Sequence, residues 1–237
     1  MEGTIGMNNA LVTGASSGIG RAISDKLIEM GYNVYGIGRT FDNGQMLPLT
    51  NFHKIELDLR DTDLLIKTVT DINKDNPISV LVNSAGVAYY GLHDSVNANM
   101  IKEMSEVNLM APMILSNLLI KTIRDNKGAI VNVSSVTATK ASPHGAAYGA
   151  TKAGLTSFSK SIFEEYRKFG VRVIDIKPDM TKTNLYRNAD FAPDEDCLAS
   201  LEPTDVAEAF YNIMRLREGV CVNEIMLTPQ LKRIKRG

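Results

Sequence analysis

The chain has 237 residues, 44% of them hydrophobic and 22% charged, with a formal net charge of −1. That length and composition fit a soluble globular protein built around one core, and they exclude the strong positive field that holds a chain on nucleic acid. No apolar run has the length of a membrane span, and the start MEGTIGMNNALVTG lacks the basic segment, apolar stretch and cleavage site of a secretory leader, so the cytoplasm is the expected compartment.

Asn9 to Val12 is a short apolar strand signal, followed by a glycine-rich turn and a helix from Arg21 to Met30 on which Ala22, Ile23, Leu27 and Met30 share a face. Asn33 to Ile37 reads as a second strand and His53 to Leu57 as a third. Asp61 opens a helix that carries Leu64, Leu65, Thr68, Val69 and Ile72 at helical spacing. Ser79 to Val82 is the next strand, Asn97 to Arg124 is largely helical, Ala129 to Val133 is a strand, Ala146 to Phe169 is a helix and Val171 to Ile176 a strand. Apolar strands alternating with amphipathic helices predict an α/β fold, a doubly wound parallel β-sheet of about seven strands with helices on both faces. Thr181 to Pro203 has no clear period and is expected to form a substrate lid within a single domain spanning 1–237. Thr204 to Arg217 resumes a helix, capped by Thr204 or Asp205, and Glu224 to Thr228 offers a last strand. The closing LKRIKRG reads as a solvated tail, with a basic arm for a polyanion or partner subunit as the alternative.

Cys197 and Cys221 are read as free thiols, and His53, His93 and His144 share no ligand spacing, so no metal site is expected. Thr13 to Gly20 reads TGASSGIG between the first strand and the first helix. Gly14 permits a tight turn, Gly18 lets the backbone approach a pyrophosphate, and Gly20 lets the helix pack near the sheet; the helix N-terminus adds its amides and positive dipole end. The bland reading is a strand-to-helix turn, and position in the first strand–helix unit favours a phosphate cradle. A site for NAD usually carries an acidic residue about 20 residues beyond such a turn to bond the ribose 2′-hydroxyl. Here the second strand ends Gly38-Arg39-Thr40. Arg39 offers a fork for a 2′-phosphate and Gly38 sets no carboxylate against it, so NADP, as NADPH, is expected over NAD.

Tyr148 and Lys152 stand four residues apart in AAYGATKAGL, downstream of Ser134 and Ser135, which close the apolar run AIVNVSS. A phenol and an ammonium on one helix face, beside a hydroxyl at a strand end, make an acid catalyst with its tuner and a substrate anchor. A hydride delivered to a carbonyl carbon leaves charge on the oxygen, so the site needs a proton donor and a hydrogen-bond partner there. Tyr148 is the candidate donor, and the ammonium of Lys152 is expected to draw the phenol down from its ordinary pKa of ~10.

The GxxxGxG spacing with YxxxK downstream resembles the short-chain dehydrogenase/reductase superfamily in its single-domain form. The resemblance covers nearly the whole chain: TGASSGIG at Thr13, NSAG at Asn83, EVN ending at Asn108, VSS ending at Ser135, YGATK at Tyr148 and IKPDMTKT ending at Thr183. It implies a Rossmann-type sheet and an oxidoreductase acting on CH–OH groups or the matching carbonyls. It also implies that Tyr148 is the general acid, that Lys152 bonds the nicotinamide ribose, that Ser135 holds the substrate oxygen and that Asn108 keeps a water linking Lys152 to solvent. Cofactor contacts are implied along Gly14, Ser16, Ser17, Gly18, Ile19 and Gly20, at Arg39 and Thr40, and at Asp58 and Leu59, where Asp58 bonds the adenine amine. They continue along Asn83, Ala85 and Gly86, at Tyr148 and Lys152, and at Pro178, Met180 and Thr183. Asn83 alternatively braces the neighbouring strand. Ser84 and Asp179 depart from the family pattern, which more often has asparagine and glycine there; Asp179 either points outward or bonds the carboxamide or a polar substrate.

The expected function is reduction of a small or medium carbonyl compound to an alcohol with NADPH. Alternatives are oxidation of a secondary alcohol or sugar with NAD, reduction of 3-oxoacyl groups on acyl carrier protein, and a non-catalytic dinucleotide sensor. Asn126 and Phe169 stand where acyl-carrier reductases commonly carry arginines, which weakens that alternative, although Lys121, Arg124, Arg167 and Lys168 lie close by. Substrate walls are expected from Val87 to Tyr90, Ala138 to His144 and Asn184 to Leu201, with Tyr89, Tyr90, Tyr186, Phe191 and Leu198 around an apolar body and His144 and Arg187 for polar groups. The resemblance implies a homodimer or homotetramer through the long helices, where Ala111, Gly154 and Ser161 suit close packing. EIMLTPQ near the end, in place of a glycine-rich segment, leaves dimer against tetramer open. No nucleic-acid or membrane partner is expected.

Overall fold

Seven strands form one parallel sheet: β1 (Asn9–Thr13), β2 (Asn33–Gly38), β3 (Phe52–Glu56), β4 (Ile78–Asn83), β5 (Ala129–Val133), β6 (Arg172–Pro178) and β8 (Glu224–Leu227). Their order across the sheet is β3-β2-β1-β4-β5-β6-β8. The computed structural model describes residues 8–41 and 50–236. The start of the chain before Asn8, read above as leaderless, and the terminal Gly237 lie outside the described residues.

Strands β1, β4 and β5 are buried along their whole length, as a sheet covered on both faces requires. Successive side chains point to opposite faces. Ala10, Val12, Val80, Val82, Val131 and Ile174 pack toward α1 (Gly18–Glu29) and α6 (Pro203–Met214) through Ile23, Leu27 and Phe210. Leu11, Leu81, Ile130 and Val173 pack on the other face, with Leu65 and Val69 of α2 (Thr62–Asp75) and Leu115, Leu119 and Ile123 of α4 (Ala111–Asp125). Among the described residues, no helix is long and apolar enough to cross a membrane.

Asp61 caps α2, its carboxylate accepting from the Leu64 amide at 3.1 Å. The helix expected over Asn97 to Arg124 is split into α3 (Ala98–Ser105), a π-helical turn (Glu106–Met110) and α4. The extra residue in that turn rotates the register so that Asn108 is wholly buried, a change that helical periodicity does not reveal. The cap expected at Thr204 or Asp205 of α6 is instead Glu202. Pro203 takes the first helical position, and Asp205 reaches back to accept from the Glu202 amide at 2.8 Å.

The expected lid is shorter of structureless chain than its sequence implies. Its ends are pinned where Thr181 bridges Leu201, Asn184–Asn188 forms a 3-10 turn, and β7 (Phe191–Pro193) pairs antiparallel with β9 (Ile234–Arg236). The basic C-terminus is exposed, as the solvated reading expects, but it is ordered: β9 is a strand, and Lys235 and Arg233 pair with Glu195 at 2.8 Å and Asp196 at 3.6 Å. The small residues expected at a subunit interface serve the chain's own packing. Ala111 is in the core beside α2, and Gly154 of α5 (Ala146–Tyr166) faces Leu109; Ser161 alone of the three is exposed.

Candidate active site

β1 lies between β2 and β4, so the chain winds outward from β1 to β3 and then returns to start again at β4. The strand order reverses at that seam, and the crevice beyond the carboxyl ends of β1 and β4 is the natural ligand site of such a sheet. Gly14, at φ +67°, carries the chain out of β1, and a Cβ there would lie 2.8 Å from Ala85 Cα. The contact is close because Thr13 Oγ1 accepts the amides of both Ser84 and Ala85 at 3.1 Å, stitching the turn after β1 to the NSAG segment after β4. A Cβ on Gly20 would collide with the Gly14 carbonyl. Ser17, at the N-cap of α1, makes no side-chain cap bond, and Gly18, Ile19 and Gly20 line the cavity with first-turn backbone.

One cavity runs from this turn to the N-terminal part of α5. Its walls include Gly14, Ser16, Ser17, Gly18, Ile19, Gly20, Arg39, Asp58, Leu59, Ala85, Gly86, Ser135, Tyr148, Lys152, Pro178 and Thr183, all named above from sequence. Thr40, Asn83, Asn108 and Met180 are not among its lining residues. Asn83 braces the sheet, donating to Asn132 Oδ1 at 2.8 Å, and Asn132 in turn donates to Ser159 on α5 at 2.8 Å. Asp179 does line the cavity, and its Oδ1 accepts from the adjacent Met180 amide at 2.9 Å, which corrects the outward-pointing reading.

Tyr148 and Lys152 sit one turn apart on α5 and are 3% and 4% exposed, so both act in a medium drier than water. Lys152 Nζ donates to the Val133 carbonyl at 2.8 Å and lies 5.9 Å from the centre of the Tyr148 ring. Ser135, which ends the run after β5, accepts from the Thr137 amide at 3.2 Å and shares the cavity wall with Tyr148, whose phenol it influences. Burial pushes Tyr148 above its ordinary 10, Tyr186 adds to the rise and Ser135 opposes it. The depression expected from Lys152 is not found: desolvation sets the direction, and Ser135, not Lys152, is what opposes it. The same burial brings Lys152 down from 10.5 to about 8, with the charge of Asp175 holding it up in part. Asn108 spends its amide inside the protein: Oδ1 accepts from Val87 N at 2.9 Å, and Nδ2 donates to Val87 O at 2.8 Å and Thr151 Oγ1 at 3.2 Å.

Beneath α5 lies a charged row that sequence inspection missed. Thr156, one turn beyond Lys152, donates to Asp175 Oδ2 at 2.7 Å. Lys177 Nζ lies 3.2 Å from that carboxylate and 2.6 Å from Glu224 Oε1, as ion pairs lying off the best hydrogen-bonding angle. Asp175 and Lys177 alternate along β6 and point to the same face.

Tyr90, Tyr186 and Phe191 form an aromatic group over the catalytic end, with the Tyr90 ring 5.8 Å from Tyr148 and 4.9 Å from Phe191. Leu198 is 52% exposed, and His144 is exposed at a left-handed φ of 63°, so neither joins that group. At the other end, Arg60 clasps Asp58 through both carboxylate oxygens at 2.6 to 3.0 Å, which holds Asp58 below the usual carboxylate range. Glu103 of α3 also lines this end, a second acidic residue beside the expected Asp58 and one that the sequence did not point to.

A doubly wound sheet with a phosphate-type turn and a buried tyrosine–lysine–serine group in one cleft defines a dinucleotide-type oxidoreductase architecture. Residues 8–193 match the family described as short chain dehydrogenase, and the chain belongs to the short-chain dehydrogenase/reductase family of oxidoreductases. It is 30% identical over 234 residues to a probable NADP-dependent dehydrogenase of Haemophilus influenzae, covering 93% of this chain and 92% of that one. It is 30% identical over 240 residues to the serine 3-dehydrogenase of Agrobacterium fabrum, covering 97% and 94%. A metagenomic short-chain oxidoreductase solved in complex with NADP has the same fold, with a TM-score of 0.80, 27% identity, and 94% and 98% of the two chains covered.

Proposed function

We propose that this protein is an NADP(H)-dependent reductase that converts a small or medium carbonyl compound to an alcohol, with Tyr148 as the general acid. The observation that carries the reading is the single cavity with a phosphate-type turn and Arg39 at one end and Tyr148, Ser135 and Lys152 at the other. The residues fit a nicotinamide dinucleotide. Side-chain-free backbone stands where a Cβ would clash, the α1 amides face the pyrophosphate position, and the Arg39 guanidinium, 58% exposed, is available to a 2′-phosphate. The names of the relatives that use NADP support the same choice. When bound, the dinucleotide supplies the hydride.

The chain's own residues manage the proton and the charge. Tyr148 holds its proton at neutral pH, because burial raises its pKa, and presents it to the substrate oxygen. Ser135 Oγ meets the same oxygen and fixes its position. Lys152, with a pKa of about 8, is mostly charged at pH 7 and stabilises the phenolate left after proton transfer. Asn108 acts as a positioning residue that ties Val87 to Thr151, and so the NSAG segment to α5. The aromatic group of Tyr90, Tyr186 and Phe191 receives an apolar substrate body, and the segment from Thr181 to Pro203 closes over it. We place the enzyme in the cytoplasm as a homo-oligomer joined through the outer faces of α4 and α5, near the exposed Met113 and Phe169.

A panel of aldehydes and ketones followed by NADPH absorbance tests this reading. Tyr148→Phe should lower kcat by about 10²- to 10⁴-fold while leaving NADPH affinity in place. Unchanged turnover of every accepted substrate by that variant rules out Tyr148 as the acid.

A further inference from the structure

At the end of β2 no acidic residue opposes a 2′-phosphate, yet the folded chain brings a carboxylate there from a distant element. Glu103 lies on α3, its side chain 16% exposed, and lines the same cavity as Arg39. One oxygen is 4.0 Å from Arg39 Nη1 and 3.8 Å from Arg60 Nη1; the other accepts from the Tyr89 phenol at 2.7 Å. With Asp58 bound to Arg60, two guanidiniums and two carboxylates face one another at this end of the cavity.

We infer that Glu103 is a specificity-determining residue which moderates the preference for NADP(H) over NAD(H) by competing for Arg39. The inference rests on the NADP(H) reading above and goes beyond it. A 2′-phosphate reaching Arg39 draws the guanidinium away from Glu103 and meets the carboxylate's repulsion, and both effects oppose it. A 2′-hydroxyl carries no charge and feels neither. Glu103 therefore weakens binding of the phosphorylated cofactor selectively; its charge does this, and the Tyr89 phenol only donates to its other oxygen. Because Arg39 is more than half exposed, the interaction is screened and its effect is modest.

The experiment compares NADPH and NADH dissociation constants, read from cofactor fluorescence at low and high salt, for the full chain and three variants. Glu103→Gln keeps an oxygen for Tyr89 and removes the charge. It should tighten NADPH by about two- to fivefold, leave NADH within about twofold, and lose the gain at high salt. Arg39→Ala should erase the NADPH preference, and Tyr89→Phe should leave the ratio where it was. If Glu103→Gln does not tighten NADPH while Arg39→Ala still erases the preference, the inference is overturned and the cofactor reading stands. If Tyr89→Phe reproduces the Glu103→Gln shift, the effect belongs to the loop and the inference is again overturned. If Arg39→Ala leaves the ratio unchanged, the cofactor reading fails and takes the inference with it.

Discussion

Replacing Lys177 with methionine should destabilise the fold by about 3 kcal/mol, the low end of the cost of removing one partner from a buried ion pair. Lys177 is 0% exposed, and its ammonium is the cation next to Asp175, which is 1% exposed and has one carboxylate oxygen with no partner at all. Without it, Asp175 keeps the Thr156 hydroxyl at 2.7 Å and only the longer-range attraction of Lys152. Glu224 loses a 2.6 Å contact but is 39% exposed, so water and Lys160 at 3.4 Å receive it, and the cost stays near the lower bound. Urea unfolding at pH 7, followed by far-UV circular dichroism, gives the difference directly, and the thermal midpoint should fall by about 6–12 °C. Asp175→Leu combined with Lys177→Met leaves no stranded charge and should recover most of the loss. A single variant within about 1 kcal/mol of the parent, or a double variant no better than the single one, would refute the view that this pair matters as a mutually compensated unit.

Lys152 makes a pH-dependent contribution whose sign follows from its lowered pKa. The unfolded chain binds the proton at 10.5 and the folded chain at about 8, so folding is penalised fully below pH 8 and not at all above pH 10.5. Stability of the parent relative to Lys152→Met should rise between pH 7.5 and 9.5, toward a limit of at most about 3 kcal/mol; a flat or falling difference in urea unfolding contradicts the burial argument. Gly20→Ala drives a methyl into the Gly14 carbonyl and should cost about 1–3 kcal/mol, seen as a lower thermal midpoint together with weaker NADPH binding. An unaltered midpoint shows that the turn relaxes around the methyl.

Much of this was legible because strands and helices announce themselves by period. β1, β4 and β5 are short, mostly apolar runs, and α2 carries its own cap in Asp61. The Tyr148 and Lys152 pair in the cavity was legible because it depends on a local spacing. What stayed hidden depends on contacts between distant segments. Glu103 and Arg39 are sixty-odd positions apart, and nothing near Glu103 in sequence marks it as facing a cofactor site. The π-helical turn at Asn108 preserves the helical composition while shifting the register. β9 is three residues long, highly basic and paired only with β7, so its strand character comes from its partner. The direction of the Tyr148 shift depends on how deeply the ring is buried, which spacing does not encode.

The order β3-β2-β1-β4-β5-β6-β8 also sets a timetable for synthesis. The first three strands emerge together and pair with neighbours close in sequence. β1, however, acquires its second flank only when Ile78 arrives to face Asn9. The bond from Ala85 to Thr13 spans 72 residues, so half of the crevice floor is still missing while the glycine turn waits in solvent. Contacts of that separation slow folding, and β1 offers a naked apolar edge during the delay. The nascent chain is therefore most exposed to aggregation just before β4 docks, and a dinucleotide has no completed seam to hold until that event has passed.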